Sequence, residues 1–134
     1  MHHKLDPLLD NLKQITLNTL SIDVLDDKIS LDLKKKQKTT ESLSIKFDGV
    51  SSFFFIDESK DTENDRTLAN IDVNSIAYYE EGLGEFSTLE EDYGEFGIKM
   101  VTIPNFAVEM KDSSLFIEAD YIEIDGERFD VTPK

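Results

Sequence analysis

Hydrophobic residues recur along this chain with two periods, and the change comes early. Leu5, Leu8, Leu9, Leu12 and Ile15 fall at i, i+3, i+4, i+7 and i+10, the stripe of one amphipathic helix. Asp6 is placed to cap it, and Pro7 then takes the first helical position, where its missing N–H costs nothing. The spacing predicts a helix over about 7–16. Beyond it the period becomes two. Leu20, Ile22 and Val24 alternate with Ser21 and Asp23, and after Asp26-Asp27 the residues Ile29, Leu31 and Leu33 alternate with Ser30 and Asp32. Each set predicts a strand with one buried face, and the short polar link predicts a hairpin. Leu43, Ile45 and Phe47 repeat the pattern, Asp48-Gly49 marks a turn or bulge, and Val50 to Ile56 reads as a buried strand.

Residues 57–70 have no apolar period and read as an acidic loop. Ile71, Val73, Ile76, Tyr78 and Tyr79 restart a strand, and a glycine-punctuated polar stretch follows. Ile98 and Met100 lead to a turn at Pro104-Asn105. Phe106, Val108 and Met110 alternate again; Lys111 to Ser114 turns the chain; Leu115, Ile117 and Ala119 follow. The pattern then slips by one place to Ile122 and Ile124, which predicts a bulge near Asp120-Tyr121. Asp125-Gly126 is the preferred pair for a two-residue type I′ hairpin, setting Ile122 opposite Phe129 and Glu123 opposite Arg128. The expected class is α+β, mainly β, in a single domain over 1–134. An N-terminal helix precedes a curved antiparallel sheet or small barrel-like sandwich of seven to nine strands, over about 19–56 and 71–131. No helical crossovers separate the strands, so a parallel α/β sheet is rejected.

Composition narrows the function. The formal net charge is −15, and residues 57–95 hold thirteen of the 29 acidic side chains against two basic ones, Lys60 and Arg66. Binding to a nucleic-acid backbone or an anionic membrane relies on positive charge, so neither partner is expected. Six lysines lie between 28 and 46; the run Lys34 to Lys38 reads as a solvated loop or strand end. Nine Phe and four Tyr argue for a packed interior. The absence of cysteine removes disulfides and thiol chemistry and fits a cytoplasmic protein. No apolar run is long enough to span a membrane, and no signal-peptide pattern is visible.

No catalytic signature emerges. Asp57, Ser59, Asp61, Glu63 and Asp65 alternate as in a calcium-binding EF-hand loop, but Thr62 stands where the turn wants Gly and Leu68 where a bidentate Glu is needed. No metal or other cofactor is therefore expected. His2 and His3 are the only histidines, and no serine lies in a Gly-x-Ser-x-Gly elbow, so nucleophilic catalysis lacks its parts. Gly82-Leu83-Gly84 is followed by no Lys-Ser/Thr, and its neighbouring glutamates repel phosphate. What remains is a mixture of carboxylates and aromatics. Tyr78, Tyr79, Phe86, Tyr93 and Phe96 interleave with Glu80, Glu81, Glu90 and Glu91. Read one way, the rings are core and the acids a solvated rim. Read the other way, this is a contact surface whose aromatics anchor and whose acids steer a basic partner. An apolar pocket lined by some of the Phe residues, as in a small-molecule carrier, is the alternative use of a curved sheet.

Two segments carry a resemblance. Phe47-Asp48-Gly49-Val50-Ser51-Ser52-Phe53 and Leu115-Phe116-Ile117-Glu118-Ala119-Asp120-Tyr121-Ile122-Glu123-Ile124 resemble small uncharacterised proteins of low-GC Gram-positive bacteria. Some of these are similar in size and acidity to immunity proteins that neutralise toxins. The resemblance transfers no catalytic residue, and the protein expected from it together with the acidic, aromatic middle region is a non-enzymatic, cytoplasmic binder that occludes a basic partner such as a toxin.

Overall fold

The computed structural model of the chain describes residues 5–12, 14–35, 41–57, 71–89 and 99–132. Helix α1 (Leu5–Asp10) is shorter than its stripe predicts, and Asp6 lies inside its first turn instead of preceding it as a cap. Leu5 and Leu9 are buried. The helix ends at Asp10, and Gln14, just before the next strand, takes a left-handed φ of 55°. Ile15, the last residue of the stripe, instead opens strand β1 (Ile15–Asp23) and is buried there. Ile15-Thr16-Leu17 satisfies a period of two as well as Ile15 satisfies the helical one. Two β-branched residues and neighbours on both sides decide for the strand.

β1 pairs with β2 (Lys28–Lys35) in the expected hairpin, which closes at Asp23↔Lys28. A register shift between Leu17 and Thr19 inserts one residue into β1. The insertion keeps Leu17, Leu20 and Ile22 on one face, opposite Leu33, Leu31 and Ile29. Val24, expected on the buried face, lies in the turn and is 75% exposed. β3 (Ser42–Asp48) lies on the other side of β2 and buries Leu43, Ile45 and Phe47. The lysine run thus begins at the end of an interior strand, where Lys35 Nζ lies 3.0 Å from Glu41.

The remaining strands are β4 (Ser52–Asp57), β5 (Ile71–Tyr78), β6 (Phe86–Leu89), β7 (Lys99–Thr102), β8 (Phe106–Met110), β9 (Ser113–Glu118), β10 (Tyr121–Ile124) and β11 (Glu127–Asp130). Of the eleven strands among the described residues, nine form one antiparallel sheet in the order β11-β10-β3-β2-β1-β5-β8-β9-β4, while β6 and β7 pair separately. Phe86–Leu89 is a strand that the polar stretch concealed. Ser113 and Ser114, expected in a turn, begin β9. The Asp125-Gly126 hairpin has the predicted register, and its two turn residues take φ of 48° and 89°. Arg128 adds to it by reaching across to Asp48 at 3.2 Å and lying 4.1 Å from the centre of the Tyr121 ring.

β4 corrects the expectation of a buried strand. Phe53, Phe55 and Ile56 are 39–45% exposed. β4 is a terminal strand of the sheet, so among the described residues it pairs on one side only, with β9.

The sheet curls without closing into a barrel. β3 runs into β4 and β9 into β10 at the same level, where the Asp120 N–H donates to the Asp48 carbonyl (3.1 Å) and the Ser51 N–H to the Glu118 carbonyl (3.0 Å). Gly49 makes the bend with φ of 64°, and a Cβ there would lie 2.9 Å from the Asp120 side chain. The curl brings Phe47 of β3 against Phe106 of β8, ring centres 5.0 Å apart and edge to face. Asn105, 3% exposed, fastens the curl from inside. Its amide donates to the Ala119 carbonyl (2.9 Å), and its side-chain oxygen accepts from the Ala119 N–H (3.0 Å).

Candidate functional site

The described part of the acidic, aromatic segment hangs from the link between β7 and β8. The Tyr79 N–H donates to the Asn105 carbonyl (2.8 Å), the Leu83 N–H to the Pro104 carbonyl (2.9 Å) and the Gly82 N–H to the Tyr79 carbonyl (3.0 Å). Gly82 has φ of 84°, and a Cβ there would collide with a methyl of Ile103. The outcome is a tethered turn on which Glu80, Glu81 and Glu85 are exposed along with Tyr79, itself 41% exposed.

Tyr78 points the other way. It is half-buried, with its ring centre 5.2 Å from that of Phe106. Burial raises the pKa of its phenol above the ordinary 10, and the charges of Glu80 and of Asp6 on α1 raise it further. The acidic turn and the first turn of the helix thus both set a carboxylate near Tyr78.

Of the residues expected at a contact surface, Tyr78, Tyr79, Glu80, Glu81 and Phe86 fall between the end of β5 and the start of β6. Phe86 opens β6 opposite Thr102. Glu90, Glu91, Tyr93 and Phe96 lie outside the described residues, as do positions 58–70, which hold most of the calcium-like spacing. Among the described residues no group of three or more His, Asp or Glu could hold a metal ion. No helix among them is long and apolar enough to cross a membrane.

A second feature was not legible in the sequence. A groove of about 310 Å³ runs between the tip of the β1–β2 hairpin and the start of β4. Ile22, Val24, Val50 and Phe53 supply its apolar surface, and Asp23, Asp27 and Lys28 its charges. The Val50 N–H donates to the Asp27 carbonyl (2.9 Å), which ties its two walls together. Its volume is near the lower bound of ligand pockets, about 300 Å³. The only signal for it in the sequence is the pair Val24-Leu25 at a turn otherwise built from aspartates.

Beside β4, Glu118 accepts from the Thr102 hydroxyl (2.5 Å) and the Ile103 N–H (2.7 Å), and Thr102 in turn contacts Ser52. The cluster fastens the end of β7 to β9 and β4.

The family model described as YxiG-like protein matches residues 5–129, from the first residue of α1 into β11. No curated protein matches the chain.

Proposed function

The chain belongs to the YxiG-like family, and for it we propose a non-enzymatic role as an acidic, cytoplasmic binding protein that docks on a basic protein and occludes it. The observation that carries this reading is the tethered turn, with Tyr79 half-exposed along with Glu80, Glu81 and Glu85 and a carboxylate set near Tyr78 by each of two elements. An exposed aromatic with carboxylates around it has the anatomy of an interface core and rim. The charges speed encounter with a positive surface, and the ring supplies buried area. A net charge of −15 extends the same attraction over the molecule. The partner class that fits is a toxin with a cationic active-site groove, such as a nuclease. The protein would then act as its immunity protein, by covering the groove.

The test is affinity capture from the native host at low salt, with the wild type and with Glu80→Lys/Glu81→Lys as bait. The reading expects a basic protein that elutes as salt rises, because exposed charges more than about 8 Å apart are screened at physiological ionic strength. It also expects the charge-reversed bait to lose that protein. Capture of no basic protein, or undiminished capture by the variant, refutes it.

A further inference from the structure

We infer that the groove between the β1–β2 tip and β4 is a docking site for an apolar side chain flanked by lysine or arginine, presented by a partner protein. This rests on the reading of the protein as a binder of basic partners, but it concerns a different surface from the tethered turn.

Three observations carry it. First, the hairpin tip is fixed. The Asp23 carboxylate accepts from the N–H groups of Leu25 (3.1 Å) and Asp26 (3.2 Å), and the Asp27 carbonyl accepts from Val50. This rigid turn presents Val24 and Leu25 to solvent at 75% and 95% exposure, where turn chemistry favours polar residues. Second, the apolar surface is contiguous. Ile22 and Phe53, 41% and 39% exposed, line the groove with Val24 and Val50. Isolated exposed apolar residues are ordinary, whereas a rimmed cluster of them marks an interaction site.

Third, the rim selects the occupant. Asp23, Asp26 and Asp27 are all exposed at the tip, and among the described residues Lys28 is the only cation lining the groove. A second copy of the chain would bring the same carboxylates and its own −15 charge to the contact, so self-association is opposed. An apolar side chain between cationic neighbours satisfies both parts: the slot removes its surface from water, and the aspartates face its flanks.

The probe is a short peptide alternating leucine and lysine. Its serine–lysine and leucine–glutamate counterparts serve as controls, and the readout is the amide spectrum of the full chain. The inference expects shifts confined to residues 22–28 and 50–53, with binding at least about tenfold weaker for either control, a factor worth about 1.4 kcal/mol. Val24→Ser, in an exposed turn, should weaken the leucine–lysine peptide by about the same factor while leaving the remaining spectrum unchanged. Phe53→Ser should do likewise wherever its spectrum shows a folded chain. Equal binding of the serine–lysine peptide, shifts centred on residues 79–85, no binding, or concentration-dependent self-association through the groove would each overturn it. Saturation by decanoate with no peptide binding overturns it too, and assigns the slot to a small amphiphile. Failure here is distinct from failure of the basic-partner reading. A captured partner that Val24→Ser retains in full eliminates the groove and spares the turn, whereas peptide binding without any captured partner does the reverse.

Discussion

Replacing Asn105 with alanine should destabilise the protein by about 3 kcal/mol. The side chain makes two hydrogen bonds, of 2.9 and 3.0 Å, both to the backbone of Ala119. Ala119 is 1% exposed, so its N–H and carbonyl have no bulk water to turn to. An orphaned buried polar group costs roughly 1–3 kcal/mol, which makes about 2–6 for the pair. A water entering the vacated space would recover part of that cost, which places the expectation in the lower half of the range. Total stability for a domain is about 5–15 kcal/mol, so the loss would be plain in urea unfolding followed by circular dichroism and tyrosine fluorescence, with an unchanged m value. Asn105→Asp sharpens the test. Its ionised carboxylate could still accept from the Ala119 N–H but would repel the Ala119 carbonyl, whereas the protonated acid could donate to it. The folded-state pKa of that acid is thereby raised. Relative to wild type, the variant should be most stable below the ordinary aspartate range and should lose stability as pH rises through the raised value. A loss below about 1 kcal/mol for Asn105→Ala refutes the reasoning, as does an Asn105→Asp protein equal to wild type at neutral pH.

The raised pKa of Tyr78 predicts an alkaline effect. The folded state holds the phenol proton more tightly than the unfolded state, so stability is complete below pH 10 and falls as pH rises from there through the raised value. Tyrosinate absorbance should show the Tyr78 phenol titrating late, and Tyr78→Phe should remove both effects. Gly82→Ala forces a β-carbon into a positive φ and against Ile103, and should cost about 1–3 kcal/mol in thermal or urea unfolding. Leu25→Ser should change stability by less than about 0.5 kcal/mol, because the side chain is 95% exposed; a larger loss would mean that the tip is packed.

What the sequence disclosed depended on whether the deciding forces were local. The Asp125-Gly126 hairpin was legible down to its residue pairs because positive φ at both turn positions and cross-strand side chains act within ten residues. β2 and β3 were equally plain, since interior strands with one wet face alternate cleanly. The helix end was not, because Ile15 belongs to both periods and only its pairing with Val73 and Lys35 chooses between them. β4 failed for a related reason. Ser-Phe-Phe-Phe-Ile reads as core, and nothing within the segment says that it is a strand at the end of the sheet among the described residues. Asn105 read as a turn residue, and its role arises from Ala119, fourteen positions away and folded against it. The acidic turn was found as a composition, while the links that hold it in place come from the Pro104-Asn105 backbone and carry no side-chain signature.

The exposed apolar residues and the negative charge explain one another. A terminal strand bearing Phe53, Phe55 and Ile56 is a template for association, which proteins restrain with charge at the edge or over the whole surface. Here Asp57 ends that strand, and the net charge of −15 opposes the approach of any identical chain. The same charge does not oppose a cationic chain; it attracts one. On the reading of the protein as a binder of basic partners, a surface that is apolar at close range and negative at long range would discriminate by the sign of the partner's charge before any contact forms. On the proposed reading, the acidity would do more than keep the chain in solution: it would let the turn present Val24 and Leu25 to water while opposing contact between two copies.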